Sequence, residues 1–221
     1  MSAAARLFRR ELALAWSGGG GPLLALGFYA AVTTLIPLAA SPDPRRLAGV
    51  ATGVAWVALA LASLLSLERM FERDFEDGAL DLISLGPLPL EAVAAIKALA
   101  HWTAAGAPLA LAAPLAAVAL GAPVALAPLI AVTAAIGGLA FAFVGGAGAA
   151  VALASRRGGV LIAVIVLPLA VPPIIFGGAS IWAFTAGLPW ETGLALLGAY
   201  ALAAVALTPF AMAAACRNAL S

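Results

Sequence analysis

The chain has 221 residues, 65% of them hydrophobic and only 10% charged, and its mean hydropathy is +1.13. Soluble domains run at roughly half apolar and about a quarter charged, so no soluble core of this length hides so much apolar surface, and most of the chain is solvated by lipid. A formal net charge of +1 offers no basic stripe to a nucleic acid. A single cysteine (Cys216) rules out an internal disulfide, and a single histidine rules out a protein-only zinc site.

At the start of the chain, Arg6, Arg9 and Arg10 are interleaved with Leu7, Phe8, Leu12 and Trp16, and Ser17 leads into Gly18 to Gly21. Residues 1–20 read either as an amphipathic helix at the membrane interface with a flexible joint, or as a positive flank with a linker. A helical crossing needs about 20 apolar residues for roughly 30 Å of hydrocarbon. On that criterion spans are expected near 22–40, 47–67, 98–119, 124–155, 159–180 and 193–214. The third and fourth come from 58 residues, Ala98 to Ser155, without one Asp, Glu, Lys or Arg, divided near Gly121, Ala122 and Pro123. The first apolar run is too long for a signal peptide, and five more follow it.

Six spans put both termini on one side of the membrane. The loops on that side carry nine Lys and Arg residues against two on the other, Arg45 and Arg46. Positive loops stay inside, so both termini are expected in the cytoplasm.

The connection 68–92 between spans two and three carries the most information. Glu68 to Asp81 holds eight charges in 14 residues, six acidic and two basic. Leu67, Met70, Phe71 and Phe75 recur at helical spacing, giving an apolar stripe against an acidic face, and Gly78 reads as the helix stop. Leu80, Leu82, Ile83 and Leu85 form a second apolar patch, and Gly86 to Leu90 a rigid turn. Such a segment is either a solvated acidic loop or a docking element for a soluble partner; two apolar patches between fixed charges favour docking.

His101 and Trp102 open span three. A histidine there can bind a heme iron or carry a proton, whereas beside a tryptophan it more often belongs to the interfacial aromatic belt. In span four, Gly137, Gly138, Gly145, Gly146 and Gly148 make a face for close helix packing, within the subunit or against another. Arg156, Arg157, Gly158 and Gly159 form a tight turn whose arginines set topology or meet an anionic group. Pro168, Pro172 and Pro173 in span five predict a kink, with a re-entrant or interfacial segment beyond it. Trp182, Trp190 and Glu191 are expected at the far interface.

Several chemistries are missing. The only lysine, Lys97, lies between Ile96 and Ala98, so the chain has no nucleotide-binding Gly-Lys-Ser/Thr loop. The expected spans carry no ionisable relay of the kind that drives proton-coupled pumps. Asp74, Asp77 and Gly78 open like the Asp-x-x-Asp-Gly motif of the CDP-alcohol phosphatidyltransferases. Ala79 and Leu80 then depart from that family, and its two further aspartates do not follow.

Three stretches together resemble the heme exporter protein B (CcmB) family: RMFERDFEDGALDLISLGPLP at 69–89, KALAHW at 97–102 and RRGGVLIAVIVLPLAVPPIIFG at 156–177. The resemblance implies an all-α, ABC-2-like permease in the bacterial inner membrane, with an amphipathic coupling helix between helices 2 and 3. It implies no catalytic or metal site in this chain, no covalently bound cofactor, heme as a transported or handed-over ligand, and ATP only on a partner. The implied partners are a CcmA-like ATPase, CcmC-like and CcmD-like membrane proteins and, transiently, the heme chaperone CcmE. Phe71, Asp74, Phe75, Asp77, Gly78 and Asp81 are the expected ATPase contacts. A permease for another hydrophobic substrate, or a membrane scaffold that transports nothing, stays open as an alternative.

Overall fold

The computed structural model describes residues 2–17, 21–40, 44–65, 67, 69–153 and 158–220. The elements are α1 (Ala3–Ser17), α2 (Gly21–Ala40), α3 (Pro44–Leu64), α4 (Arg69–Glu76), α5 (Ala79–Ser84), α6 (Leu90–His101), α7 (Ala107–Ala119), α8 (Ala127–Ala152), α9 (Gly158–Thr185) and α10 (Glu191–Ala219). A π-helical turn, Trp102–Gly106, joins α6 to α7, and a single 3-10 turn, Val124–Leu126, precedes α8. The chain is an all-α integral membrane protein. Among the described residues five stretches are long and apolar enough to cross a bilayer, and there are six if α1 and Gly21–Ile36, bent by 56°, count as one broken span. Gly18 to Gly20, Glu68, Arg156 and Arg157 lie outside the described residues.

The helix expected from residue 98 begins at Leu90, behind Pro89 in extended conformation (ψ 147°). A charge-free criterion places that start too late, because both charges on the added turns are matched. Glu91 accepts a hydrogen bond from Arg217 at 2.5 Å, and Lys97 is paired inside the bundle. The π turn falls where Pro108 has no N–H for the carbonyl of Ala104, so the hydrogen-bond ladder widens by one residue. The wider turn lets the Trp102 indole lie over Gly106 and beside Gly138, with its N–H donating to the Ala135 carbonyl at 3.1 Å. Trp102 is therefore a packing residue between the π turn and α8.

α8 is the central helix, packed against α3, α4, α6, α7, α9 and α10. Its glycines make this possible. A Cβ on Gly137 would sit 2.6 Å from the Trp56 ring, one on Gly145 2.1 Å from Leu67, and one on Gly146 about 3 Å from Met212 and Met70. The glycine face is thus filled by α3, α4 and α10 of the same chain. Trp56 wedges into α8 and α9 at once, because Gly177 of α9 also leaves room for its ring.

Pro168, Pro172 and Pro173 all lie inside α9, which continues as one helix to Thr185. Pro173 cannot donate to the carbonyl of Leu169, four residues earlier; the Tyr200 hydroxyl on α10 does so instead, at 2.6 Å. No re-entrant segment follows among the described residues. Residues 186–190 form a tight turn with Gly187 at φ 68°, and α10 begins at Glu191. Trp190 packs inward, edge-on to Phe184, and its carbonyl accepts the Ser180 hydroxyl at 2.9 Å, while Trp182 stays exposed.

Two expectations follow for stability in detergent. Tyr200→Phe strips the donor from the Leu169 carbonyl and should cost about 0.6–1.7 kcal/mol, the range for interhelical hydrogen bonds in membranes, read as a lowered melting temperature. On α10, a Cβ at Gly193 meets backbone atoms of Ser180 at 2.8 and 3.0 Å, whereas one at Gly198 meets nothing within 4 Å. Gly193→Ala should therefore cost about 1–3 kcal/mol through overpacking and Gly198→Ala should be tolerated; equal melting temperatures would show the α9–α10 contact to be looser than described.

Candidate functional site at the charged end of the bundle

α4 is sharply two-sided. Arg69, Glu72, Arg73 and Glu76, spaced i, i+3, i+4 and i+7, are exposed, while Met70, Phe71 and Asp74 are buried and Phe75 is half-buried. The apolar side joins a core that includes Leu80 of α5, Ala94 and Ala98 of α6, Phe143 and Val144 of α8, and Met212 and Cys216 of α10. Asp77 and Gly78 end α4. The Asp77 N–H bonds the Arg73 carbonyl at 3.0 Å, and Gly78 turns the chain at φ 70°, a conformation that L side chains rarely adopt. α5 then leaves at a new angle with Leu80 buried and Asp81 exposed.

Asp74 sits on the buried side because it has cations to meet there. Its Oδ1 accepts a hydrogen bond from Arg10 Nη2 at 2.6 Å, and its Oδ2 accepts from Lys97 Nζ and from Arg10 Nη1, the latter at 3.2 Å. Lys97 also donates to Glu11 Oε2 at 2.9 Å and to the Met70 carbonyl at 3.2 Å, with its ammonium 5.7 Å from the centre of the Phe71 ring. Arg10 Nη1 donates to Glu11 Oε1 at 2.7 Å. Two cations and two carboxylates thus form a neutral cluster in which every ammonium proton of Lys97 has an acceptor. The Lys97 side chain is 1% exposed and that of Asp74 5%. A buried charge is tolerated when it is paired and fully hydrogen-bonded, and this geometry meets both conditions. The cluster joins α1, α4 and α6, which lie up to 86 residues apart in sequence. By comparison the Arg73–Asp77 pair, 3.9 Å apart and more than half exposed, contributes at most about 1 kcal/mol.

Beside the cluster an open groove of about 550 Å³ runs between α1 and the start of α2 on one side and α4, α6 and the π turn on the other. His101 lines it, half-buried at the end of α6. Among the described residues no group of three or more His, Cys, Asp or Glu could hold a metal ion.

The structure gathers Phe71, Asp74 and Phe75 on the inner side of this end and Asp77, Gly78 and Asp81 along its outer edge. Pro168, Pro172 and Pro173 belong to α9, and Gly158 and Gly159 start that helix. Arg10, Glu11 and Lys97 escape a reading by motif because they are distant in sequence. The only lysine of the chain, standing alone before a long charge-free stretch, was the available signal, since a lone charge entering a bundle needs a partner.

A family model described as CcmB protein matches residues 2–219. Heme exporter protein B of Paracoccus denitrificans is 46% identical over 211 residues, covering 96% of this chain and 97% of that protein. Its counterpart in Bradyrhizobium diazoefficiens is 41% identical over the full length of both chains. The Escherichia coli (strain K12) protein of the same name is 43% identical over 212 residues, 96% of each. With a family match from end to end and several relatives above 40% identity, the chain belongs to the CcmB family and is a multi-pass protein of the bacterial inner membrane.

Proposed function

We propose that this chain is the non-catalytic membrane subunit of an ATP-driven complex that handles heme in c-type cytochrome biogenesis, and that α4 and α5 are the surface on which a separate ATPase docks. One observation supports the docking reading above all. Leu82 of α5 and Leu85, which caps its end, are 73% and 85% exposed beside the exposed carboxylates of Asp77 and Asp81. Single exposed leucines are ordinary. Two on one short helix and its C-cap, edged by acids and held on a rigid ion-paired base, suit an apolar recess with a basic rim on a soluble protein. The nine-to-two distribution of Lys and Arg favours the cytoplasm for this end.

The six expected contact residues then divide. Asp77, Gly78 and Asp81 meet the partner; Phe71, Asp74 and Phe75 lie beneath and carry the load inward. Closure of an ATPase dimer presses on α4 and α5, and Asp74, tied to Lys97 and Arg10, passes the displacement to α6 and α1 together. From α6 it continues through the π turn into α7. Near α9, the far ends of the helices rearrange so that a heme-loaded chaperone is released or receives its cargo. Nucleotide can drive this only by binding one arrangement more tightly than the other. The assembly this calls for is a CcmA-like ATPase with CcmC-like and CcmD-like membrane proteins, visited by CcmE.

Both Asp77 and Asp81 are exposed, so Asp77→Lys with Asp81→Lys should leave the melting temperature unchanged and lower co-purification of the ATPase by about tenfold or more, as reversed interfacial charges do; undiminished co-purification together with normal cytochrome c levels would remove the docking assignment. His101→Ala should leave the heme absorption spectrum of the purified complex unaltered. A shifted or missing Soret band in that variant would instead make His101 an iron ligand.

A further inference from the structure

The contacts assigned to the ATPase lie at the end of α4 and on α5; the groove beside the ion cluster runs along the preceding turns of α4, and its lining is divided by chemistry. Its floor is apolar: Leu24 at the start of α2 and Leu65 after α3 are 56% and 42% exposed, and Ala104 and Ala105 of the π turn lie behind them. Its rim is the outer face of α4, with Arg69, Glu72, Arg73 and Glu76. The remaining charges in the groove, Glu11, Asp74 and Lys97, are neutralised with Arg10 inside the cluster. Among the described residues the rim therefore carries two cations and two anions alternating along one helix. Glu72 and Glu76 make no ion pair among the described residues, and Arg73 has only the long contact to Asp77.

We infer that this groove binds one molecule of a zwitterionic bilayer lipid with a primary ammonium headgroup, of the phosphatidylethanolamine class. Three features select it. A volume of about 550 Å³ lies within the usual range for ligand sites, about 300–1,000 Å³, and takes a headgroup with the upper part of its acyl chains. The mixed rim suits a phosphate and an ammonium side by side: the phosphate faces Arg73, and the ammonium donates to Glu72 and Glu76 on either side of it. An anionic lipid would satisfy the arginines and be repelled by the two carboxylates. A quaternary ammonium cannot donate hydrogen bonds and is recognised by aromatic cages, and among the described residues the groove has no Phe, Tyr or Trp in its lining. The acyl chains leave over Leu24 and Leu65, which are solvated by lipid tails. A lipid so placed fills the angle between α1 and α4, next to the contacts that hold them together.

Native mass spectrometry of the full-length protein, reconstituted in bilayers of equal parts phosphatidylethanolamine, phosphatidylcholine and phosphatidylglycerol, tests this. The wild-type chain should retain one phosphatidylethanolamine in preference to the other two. Glu72→Gln with Glu76→Gln, at exposed positions on which no core packing depends, should reduce that retention by about tenfold and leave the melting temperature in lipid-free detergent unchanged. Retention of phosphatidylcholine or phosphatidylglycerol at least as strong as that of phosphatidylethanolamine in the wild type would overturn the inference, and so would a double variant that holds phosphatidylethanolamine as well as the parent.

Discussion

A lysine ammonium that is 1% exposed persists inside a helix bundle only if its lost hydration is replaced almost completely, since the effective cost of burying an ion is several kcal/mol. Lys97 meets that condition with Asp74, Glu11 and the Met70 carbonyl, and Arg10 supplies the second cation that the two carboxylates need. None of the four groups has a satisfactory partner without the others, so the positions of α1, α4 and α6 are fixed together. Replacing such a cluster with apolar side chains is often close to neutral for stability, whereas deleting one member costs about 3–5 kcal/mol. The specific value of the arrangement is geometric: it determines where the amphipathic α4 sits and therefore which face of it is left outward.

The rest of the bundle is held differently, by close approach. In lipid there is no hydrophobic drive between helices, so packing and hydrogen bonds decide. Trp56 fills the space left by Gly137 and Gly177, and Leu67 the space left by Gly145. Tyr200 supplies the donor that Pro173 cannot. A body built this way, with α8 at its centre, is a closely packed frame for the charged end. The frame and the charged end meet at Met70 and Phe71, whose side chains pack in the common core while the Met70 carbonyl accepts from Lys97.

Much of this was legible in the sequence, and the limits have physical causes. Apolar length discloses the long apolar helices because the bilayer imposes them one segment at a time. The glycines of span four disclose a packing face, but not that Trp56, Leu67 and Met70 fill it, since the identity of a neighbour depends on how the helices are arranged. The stripe of Leu67, Met70, Phe71 and Phe75 locates α4 correctly. Drawn through apolar residues alone, it assigns Asp74 to the solvated face, although position 74 shares the spacing of 67, 70 and 71. A buried carboxylate is visible only once its cations are known, and these come from residues 10 and 97. The same cause hides the start of α6, because a charge reads as the end of an apolar helix where partners allow it to continue. The prolines of α9 predict a kink, and the sequence does not reveal that Tyr200 across the interface supplies the donor for the Leu169 carbonyl.

The central claim is that Asp74 and Lys97 act as one unit, and a double-mutant cycle measures that directly. Asp74→Asn, Lys97→Met and the pair are compared with the parent by thermal unfolding of the purified full-length protein. Each single change strands a buried charge and should be strongly destabilising, whereas the double variant should lose markedly less than the sum, with a coupling of about 0.5–3 kcal/mol, the range for residues in one ion-pair network. Strictly additive losses would mean that the two side chains do not sense each other, and α4 would then need another anchor.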